Sequence, residues 1–316
     1  MGKRKKQEQK RKKIKYLGDS SSNSIDLSKQ MAFLRANKRR IQADHELYFS
    51  EKQNQIDINQ YYGSLLNYSL DCSSLSTNLT KLLTKTHKHH VPYFISKDLY
   101  LYTWVDLYPD GTVKSIYSGE EKDPVSLIEK DHEVIQEKYE EFMQTLHQVD
   151  QNEFVSLKEL KSIEWKYKFN TEHIVPQSWF QSLEPMKGDL HHLFTCQPDC
   201  NISRSNFPYA DFNFYTPESD TEPIQNHCGV TINERFEPEH GKGKSARAML
   251  YFLLRYPLAI KKSFRVLVDI PLLIHWHQQF PVTLYEKHRN QSIYMIQGNR
   301  NPFIDFPELA EAVHLK

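Results

Sequence analysis

Between Phe169 and Phe214 the chain reads FNTEHIVPQSWFQSLEPMKGDLHHLFTCQPDCNISRSNFPYADFNF, and the prolines in this window leave little choice of local structure. A residue before proline is pushed out of the helical region, so TEHIV ahead of Pro176 is predicted to be extended. DLHHLFT, after the Met-Lys-Gly loop, predicts a second short strand. Asp199, after Pro198, can cap a short helix through CNISRSN that must end by Pro208. The predicted order is strand, loop, strand, helix.

Such a unit can place three kinds of group around one divalent ion. The Glu172 carboxylate and the Asn201 amide oxygen are hard oxygen ligands of the kind Mg²⁺ accepts, and Mg²⁺ keeps positions for water and substrate phosphate. With an unperturbed pKa of about 6.5, His173 can take a proton from an attacking water. The metal would stabilise charge developing on the phosphorane and leaving oxygens. Arg204, three residues after Asn201, shares its helical face and could hold a phosphate oxygen. Adjacent strand residues face opposite ways, however, so Glu172 and His173 reach one phosphate only if the strand ends or bulges there. On residue types alone, an Glu-His pair followed by an Asn is equally compatible with satisfied polar groups at a strand end and a helix cap.

The 316 residues carry 41 Lys+Arg and 40 Asp+Glu, a near-balance that hides a polybasic start. Met1 to Lys15 holds nine Lys or Arg and one Glu, too little apolar surface to fold and enough charge for weak attraction to nucleic acid or another anionic surface. A solvated tail without a specific partner fits equally well. With no apolar run after the basic stretch and none near about 18 residues, neither an export signal nor a membrane span is predicted, and a cytoplasmic location is expected. Residues 1–56 read as a basic, partly disordered or helical extension, and 57–316 as one folded domain. LYTWVDLYPDGTVKSIYSG predicts two strands around a Pro-Asp-Gly turn. Lys122 to His147 is helix-prone, with Val134, Ile135, Tyr139, Phe142 and Met143 near one face. SARAMLYFLLRY predicts a buried helix capped by Ser245 and stopped by Pro257, and QGNRNPFIDFPEL an irregular segment wrapping the surface.

Cys196, Cys200 and Cys228, with His227, could build a structural Zn²⁺ site. Isolated buried thiols or a disulfide are the alternatives, and Cys72 looks unrelated. Of His191 and His192, on opposite faces of the second strand, one could orient the site and the other pack. His87, Lys88, His89 and His90 form a basic cluster before Val91 that could equally be a solvated helix end.

EHIVPQSWF, DLHHL, CNISRSNFPY, FEPEHGKGKSARAMLYFLLRYP and RNQSIYMIQGNRNPFID, in that order, resemble the successive motifs of the endonuclease I family within the ββα-metal (His-Me finger) nucleases. The resemblance runs from about residue 57 to the C-terminus. It implies a mixed α+β domain with a central ββα-metal motif surrounded by helices. It also implies a metal-dependent endonuclease, largely indifferent to sequence, acting on DNA and often RNA and leaving 5′-phosphate ends. By motif position His173 would be the general base, Glu172 and Asn201 the ligands of Mg²⁺ (or Ca²⁺ or Mn²⁺), and Arg204 a phosphate contact. Arg247, Arg255, Arg289 and Arg300 fall within these motifs; some would line the nucleic-acid groove, although an arginine in an apolar helix is more often an ion-pair partner. Many members are secreted or periplasmic, so compartment is not inherited from the resemblance. A noncatalytic nucleic-acid-binding protein, using the basic tail and a zinc site, is the rival reading.

Overall fold

The computed structural model describes residues 26–63, 65, 72–148, 170–215 and 227–315. The polybasic tail lies outside these residues. The main elements, in chain order, are Leu27–Ala43 (α1), Glu51–Tyr62 (α2), Cys72–Thr86 (α3), a π-helical segment Ser96–Val105, Val113–Lys114 (β1), Glu121–Lys122 (β2), Pro124–Gln148 (α4), Thr171–His173 (β3), Leu193–Thr195 (β4), Pro198–Arg204 (α5), Gly229–Ile232 (β5), Arg235–Pro238 (β6), Lys242–Arg255 (α6), Ile270–Gln279 (α7) and Leu284–Gln297 (α8). Among the described residues the strands form three separate two-stranded antiparallel sheets, β1-β2, β3-β4 and β5-β6. The fold is therefore mixed α+β, with helices carrying most of the core.

That core has two parts. The larger centres on α6, whose face Leu250, Tyr251, Leu253 and Leu254 is buried together with Trp179, Phe180, Phe236 and Trp276. The smaller joins Leu34 and Ile41 of α1 to Leu101 and Val105 of the π-helical segment and to Leu127 and Ile128 of α4. Helix α1 is thus not peripheral: Leu34 has no exposed surface, and Asn37 donates from Nδ2 to the Thr103 carbonyl at 2.9 Å. Residue 57, where the folded domain was expected to begin, lies inside α2, and Asn54 of that helix accepts from Arg300 at 2.6 Å.

Several local expectations give way to tertiary packing. The stretch expected to be the first strand of the LYTWV hairpin is π-helical instead, with the Asp106 amide donating to the Leu101 carbonyl at 2.9 Å. Its apolar residues are needed on more than one side, against α1, α4 and β4, and a half-buried strand would not supply that. Only the residues after the turn pair as strands, Val113 with Lys122 and Lys114 with Glu121. Helix α4 forms as expected, although Tyr139 on its anticipated apolar face is exposed. Helix α6 starts before Ser245, at Gly241, whose φ of 76° needs glycine and whose missing Cβ would sit 2.3 Å from the Ile116 carbonyl. Ser245 is then an interior residue rather than a cap. Near the C-terminus, Gln297, Asn299, Arg300 and Asn301 are buried, so this segment threads the core instead of wrapping it.

No helix among the described residues is long and apolar enough to cross a membrane. Buried imidazoles are common in this fold, and burial pushes the pKa of His191 down to about 4, outweighing the attraction of Asp189; His192 is also lowered. A folded-state pKa below the unfolded value of about 6.5 gives stability that is full above pH 6.5 and is lost as pH falls toward 4, worth on the order of 3 kcal/mol for His191. Urea midpoints should therefore drop steadily between pH 6.5 and 4. His191→Gln should remove about one proton from that slope, and an unchanged slope would assign the acid sensitivity elsewhere.

Candidate active site

Strand β3 is anchored from its first residues. The buried Asp131 carboxylate accepts from Lys97 Nζ at 3.0 Å, Tyr102 Oη at 2.9 Å, and the backbone and side-chain nitrogens of Asn170 at 3.1 and 2.9 Å. Tyr102 also bonds the Thr171 hydroxyl. Pairing with β4 is regular throughout, Thr171 to Thr195, Glu172 to Phe194 and His173 to Leu193. No bulge occurs; the strand ends at His173, and the next amide, Ile174, donates to the His192 carbonyl at 3.0 Å.

Alternation along this short strand separates the contacts of the two side chains. Glu172 is 3% exposed, accepts from Tyr117 Oη at 2.9 Å and lies 3.5 Å from Arg204 Nε. His173, 6% exposed, faces the loop between the strands: its Nε2 lies 2.9 Å from the Lys187 carbonyl and its Nδ1 3.3 Å from Gln177 Nε2. A carbonyl only accepts, so Nε2 bears the proton of the neutral ring and Nδ1 is left as the basic nitrogen. Burial, followed by the nearby His192 ring, holds the His173 pKa well below the ordinary histidine value. The unprotonated form needed of a base is thus the resting form at neutral pH.

Helix α5 brings the remaining candidates to the same strand. Asn201 donates from Nδ2 to the Thr171 carbonyl at 2.8 Å, one peptide from Glu172, which leaves Oδ1 as the amide atom able to serve as a ligand. Glu172 and Asn201 are therefore hard oxygen donors gathered at one short stretch of β3, a chemistry that fits Mg²⁺, Mn²⁺ or Ca²⁺. Arg204, the candidate phosphate contact, is held inside the fold. It is 1% exposed, its Nη2 donates to the Ile174 carbonyl at 2.7 Å, and its guanidinium lies 5.1 Å from the centre of the Tyr209 ring. Its Nε is buried without a hydrogen bond. Arg204 is a clamp across β3 that balances the Glu172 charge. Asp199 does not cap α5; that place falls to Gln197, which makes no side-chain cap bond.

The two histidines expected on the second strand precede it, in a 3₁₀ turn, Leu190–His192, capped by Asp189. His192 bonds the Met186 carbonyl through Nε2, next to the Lys187 carbonyl that fixes His173, and its ring centre is 5.5 Å from that of His173. His191 faces the Asn299 carbonyl at 3.2 Å. The basic cluster divides: Lys88, His89 and His90 are exposed, whereas His87 is buried 3.9 Å from Asp189. All four motif arginines are buried, and Arg247 and Arg289 line a small internal cavity with His191 and Lys244. Arg247 pairs with Glu286, Arg289 with Asp106, Arg300 with Asp305, and Arg255 bonds Thr84 from a largely buried position. Burial of a guanidinium requires such partners.

The expected three-thiol zinc site is not formed. Cys200 and Cys228 are joined as a disulfide, and Cys196 is free, fully buried and outside their cluster. Burial, then the negative Glu172, pushes the Cys196 thiol pKa up. Tyr117, Gln177 and Asp189 were missed from sequence; of these only Gln177, four residues after His173, offered a spacing that could have signalled its contact.

A profile of the endonuclease I family matches residues 71–308. The chain belongs to the endonuclease I family. It is 29% identical over 171 residues to an extracellular deoxyribonuclease of Aeromonas hydrophila, covering 47% of this chain and 68% of that one. A periplasmic deoxyribonuclease of the same organism is 30% identical over 167 residues, 45% of this chain and 63% of the relative. An extracellular ribonuclease of Bacillus amyloliquefaciens is 31% identical over 160 residues, 46% of this chain and 53% of the relative. The alignments to the last two span less than two thirds of those relatives' lengths. In this family member, breaking the buried Glu172–Arg204 pair from one side should cost about 3–5 kcal/mol. Urea unfolding of Arg204→Met, Glu172→Gln and the double variant should show the double costing clearly less than the sum of the singles. Simple additivity would mean that the two side chains do not act on each other.

Proposed function

We propose that this endonuclease I family protein is a hydrolase that cuts phosphodiester bonds within nucleic acid, with β3, β4 and α5 serving as a ββα-metal motif. The single observation that carries the reading is the state of His173: a buried, neutral imidazole whose Nε2 proton is committed to the Lys187 carbonyl, leaving Nδ1 to act as base. Nδ1 takes a proton from the attacking water, and the Lys187 carbonyl keeps the ring oriented and eases the positive charge it then carries. Gln177 Nε2, now 3.3 Å from Nδ1, shares that position and must yield part of it to the water. His192, on the neighbouring carbonyl, holds the loop that supplies this orientation.

Glu172 and Asn201 would hold one divalent ion, which supplies charge stabilisation at the phosphoryl and leaving oxygens. Attack at phosphorus with departure of the 3′ oxygen leaves a 5′-phosphate. Arg204 and Tyr117 set the Glu172 carboxylate in place. The proposed chemistry reads only phosphate, so binding is expected to be largely independent of sequence. DNA is the substrate class favoured by the deoxyribonuclease relatives, and RNA is included because a relative at similar identity is named a ribonuclease.

Plasmid nicking in Mg²⁺ tests the base. His173→Ala should lower the rate by at least about 10²-fold while circular dichroism stays that of the native fold; undiminished cleavage by the folded variant removes His173 from the role. Glu172→Gln should raise the Mg²⁺ concentration at half-maximal rate, and an unchanged metal dependence counts against it as a ligand. Single-stranded RNA run beside the plasmid decides whether both polymers are substrates.

A further inference from the structure

Away from the proposed nuclease centre, two pairs of adjacent residues converge, Asp199-Cys200 in the first turn of α5 and His227-Cys228 just before β5. We propose that these four residues form a redox-gated site for a tetrahedral divalent metal such as Zn²⁺, closed as a disulfide and opened to metal by reduction. Their ligand atoms, two sulfurs, an imidazole nitrogen and a carboxylate oxygen, all lie within 4.8 Å of one another. These are the ligand types that zinc takes in fourfold coordination. Bonds of about 2.3 Å to sulfur set two tetrahedral thiolates roughly 3.7 Å apart. Release of the Cys200–Cys228 bond therefore needs only a small separation of the sulfurs, within the present span of the cluster.

The histidine has the surroundings that a metal-bound imidazole requires. His227 Nε2 lies 3.2 Å from Asp199 Oδ2, on the cluster side, while Nδ1 is 3.9 Å from Glu120 Oε2 on the other. At 3.9 Å that carboxylate makes no hydrogen bond, but it lies on the side where a metal-ligating histidine's second ring nitrogen takes its orienting partner. Glu120 is itself held, 2.9 Å from Lys122 Nζ and bonded by Gln197 Nε2. A disulfide alone needs neither the imidazole nor the two carboxylates. The sulfurs are largely buried and the His227 and Asp199 side chains are about half exposed or more, so an ion can arrive from solvent on their side.

The step balances simply. A dithiol delivers two electrons and two protons to the Cys200–Cys228 bond and becomes a cyclic disulfide, leaving two thiols. The metal then displaces both thiol protons into solvent as it binds two thiolates, the imidazole and the carboxylate. In either closed form, by sulfur–sulfur bond or through the ion, the helix that carries Asn201 and Arg204 stays tied to β5, where Thr231 Oγ1 also donates to the Ser203 carbonyl at 2.7 Å.

Cobalt serves as the spectroscopic probe. The full chain is reduced with a dithiol, desalted without oxygen and titrated with Co²⁺. One equivalent should produce sulfur-to-cobalt charge transfer and the intense visible bands of tetrahedral Co²⁺, both removed by added Zn²⁺. The oxidised chain should give neither. Cys228→Ser should cut the charge transfer to half or less, replacing both Cys200 and Cys228 with Ser should abolish it, Cys196→Ser should leave it unchanged, and His227→Ala and Asp199→Ala should each weaken Co²⁺ binding about tenfold or more, with circular dichroism checking that each variant is folded. The proposal is overturned if the reduced, folded wild type shows no charge transfer. It is equally overturned if the signal depends on Cys196, or if removing His227 and Asp199 changes nothing. Oxygen-only coordination at Glu172 and Asn201 gives no thiolate signal, so the outcome is independent of the nuclease reading.

Discussion

A single carboxylate with no exposed surface, Asp189, holds together the elements on which the site depends. It accepts from Tyr251 Oη at 2.8 Å, Tyr256 Oη at 2.9 Å, Gln297 Nε2 at 3.0 Å and the His191 amide at 3.1 Å. These donors come from α6, the residue just past it, the end of α8 and the turn ahead of β4. Burial by itself would raise the Asp189 pKa; the neighbouring His87, His191 and His192 and the Gln297 amide reverse this and hold it well below the usual carboxylate range. A buried charge with four donors is satisfied only in one arrangement of those elements, since losing any one of them leaves a desolvated charge short of partners.

From Asp189 the constraint passes back along the chain. Glu184 accepts from the Gly188 amide at 2.8 Å and from the Tyr93 amide at 3.0 Å, fixing the loop against the segment before the π-helix. Glycine is required at 188 because a Cβ would stand 2.0 Å from the Val91 carbonyl. Between Glu184 and Asp189 lie the carbonyls of Met186 and Lys187, and these receive His192 and His173. The tautomer of His173 is thus set by a loop that is itself pinned at both ends. Tyr93, 4.9 Å from His173 between ring centres, closes the same side.

Sequence carried the order strand, loop, strand, helix, because proline placement is a local property. It was silent on what depends on distant partners. The Leu190–His192 turn reads as the start of the second strand, yet Asp189 caps it as a 3₁₀ turn, and α6 and α8 bring donors to the same carboxylate. For Arg247, Arg289 and Arg300 the residue types left open groove contact or ion pairing; their acids, Glu286, Asp106 and Asp305, lie up to 183 positions away (289 minus 106) and show no spacing that marks the pairing. The segment from Gln297 to Asn301 reads as irregular surface because it is polar; it is buried because its amides satisfy backbone groups, as Asn301 Nδ2 does for the Arg247 carbonyl at 3.1 Å.

The same accounting shapes how the centre can work. With the motif arginines and Arg204 spent on internal acids and carbonyls, they are not available to follow a polyanion along the surface. Among the described residues Lys88, His89 and His90 are exposed, a few positions before Tyr93, which packs on His173. The buried arginines instead hold the interior rigid: Arg204 donates to the Ile174 carbonyl just past β3, and Arg289 to the Leu190 and Leu193 carbonyls on the other side of the strand pair.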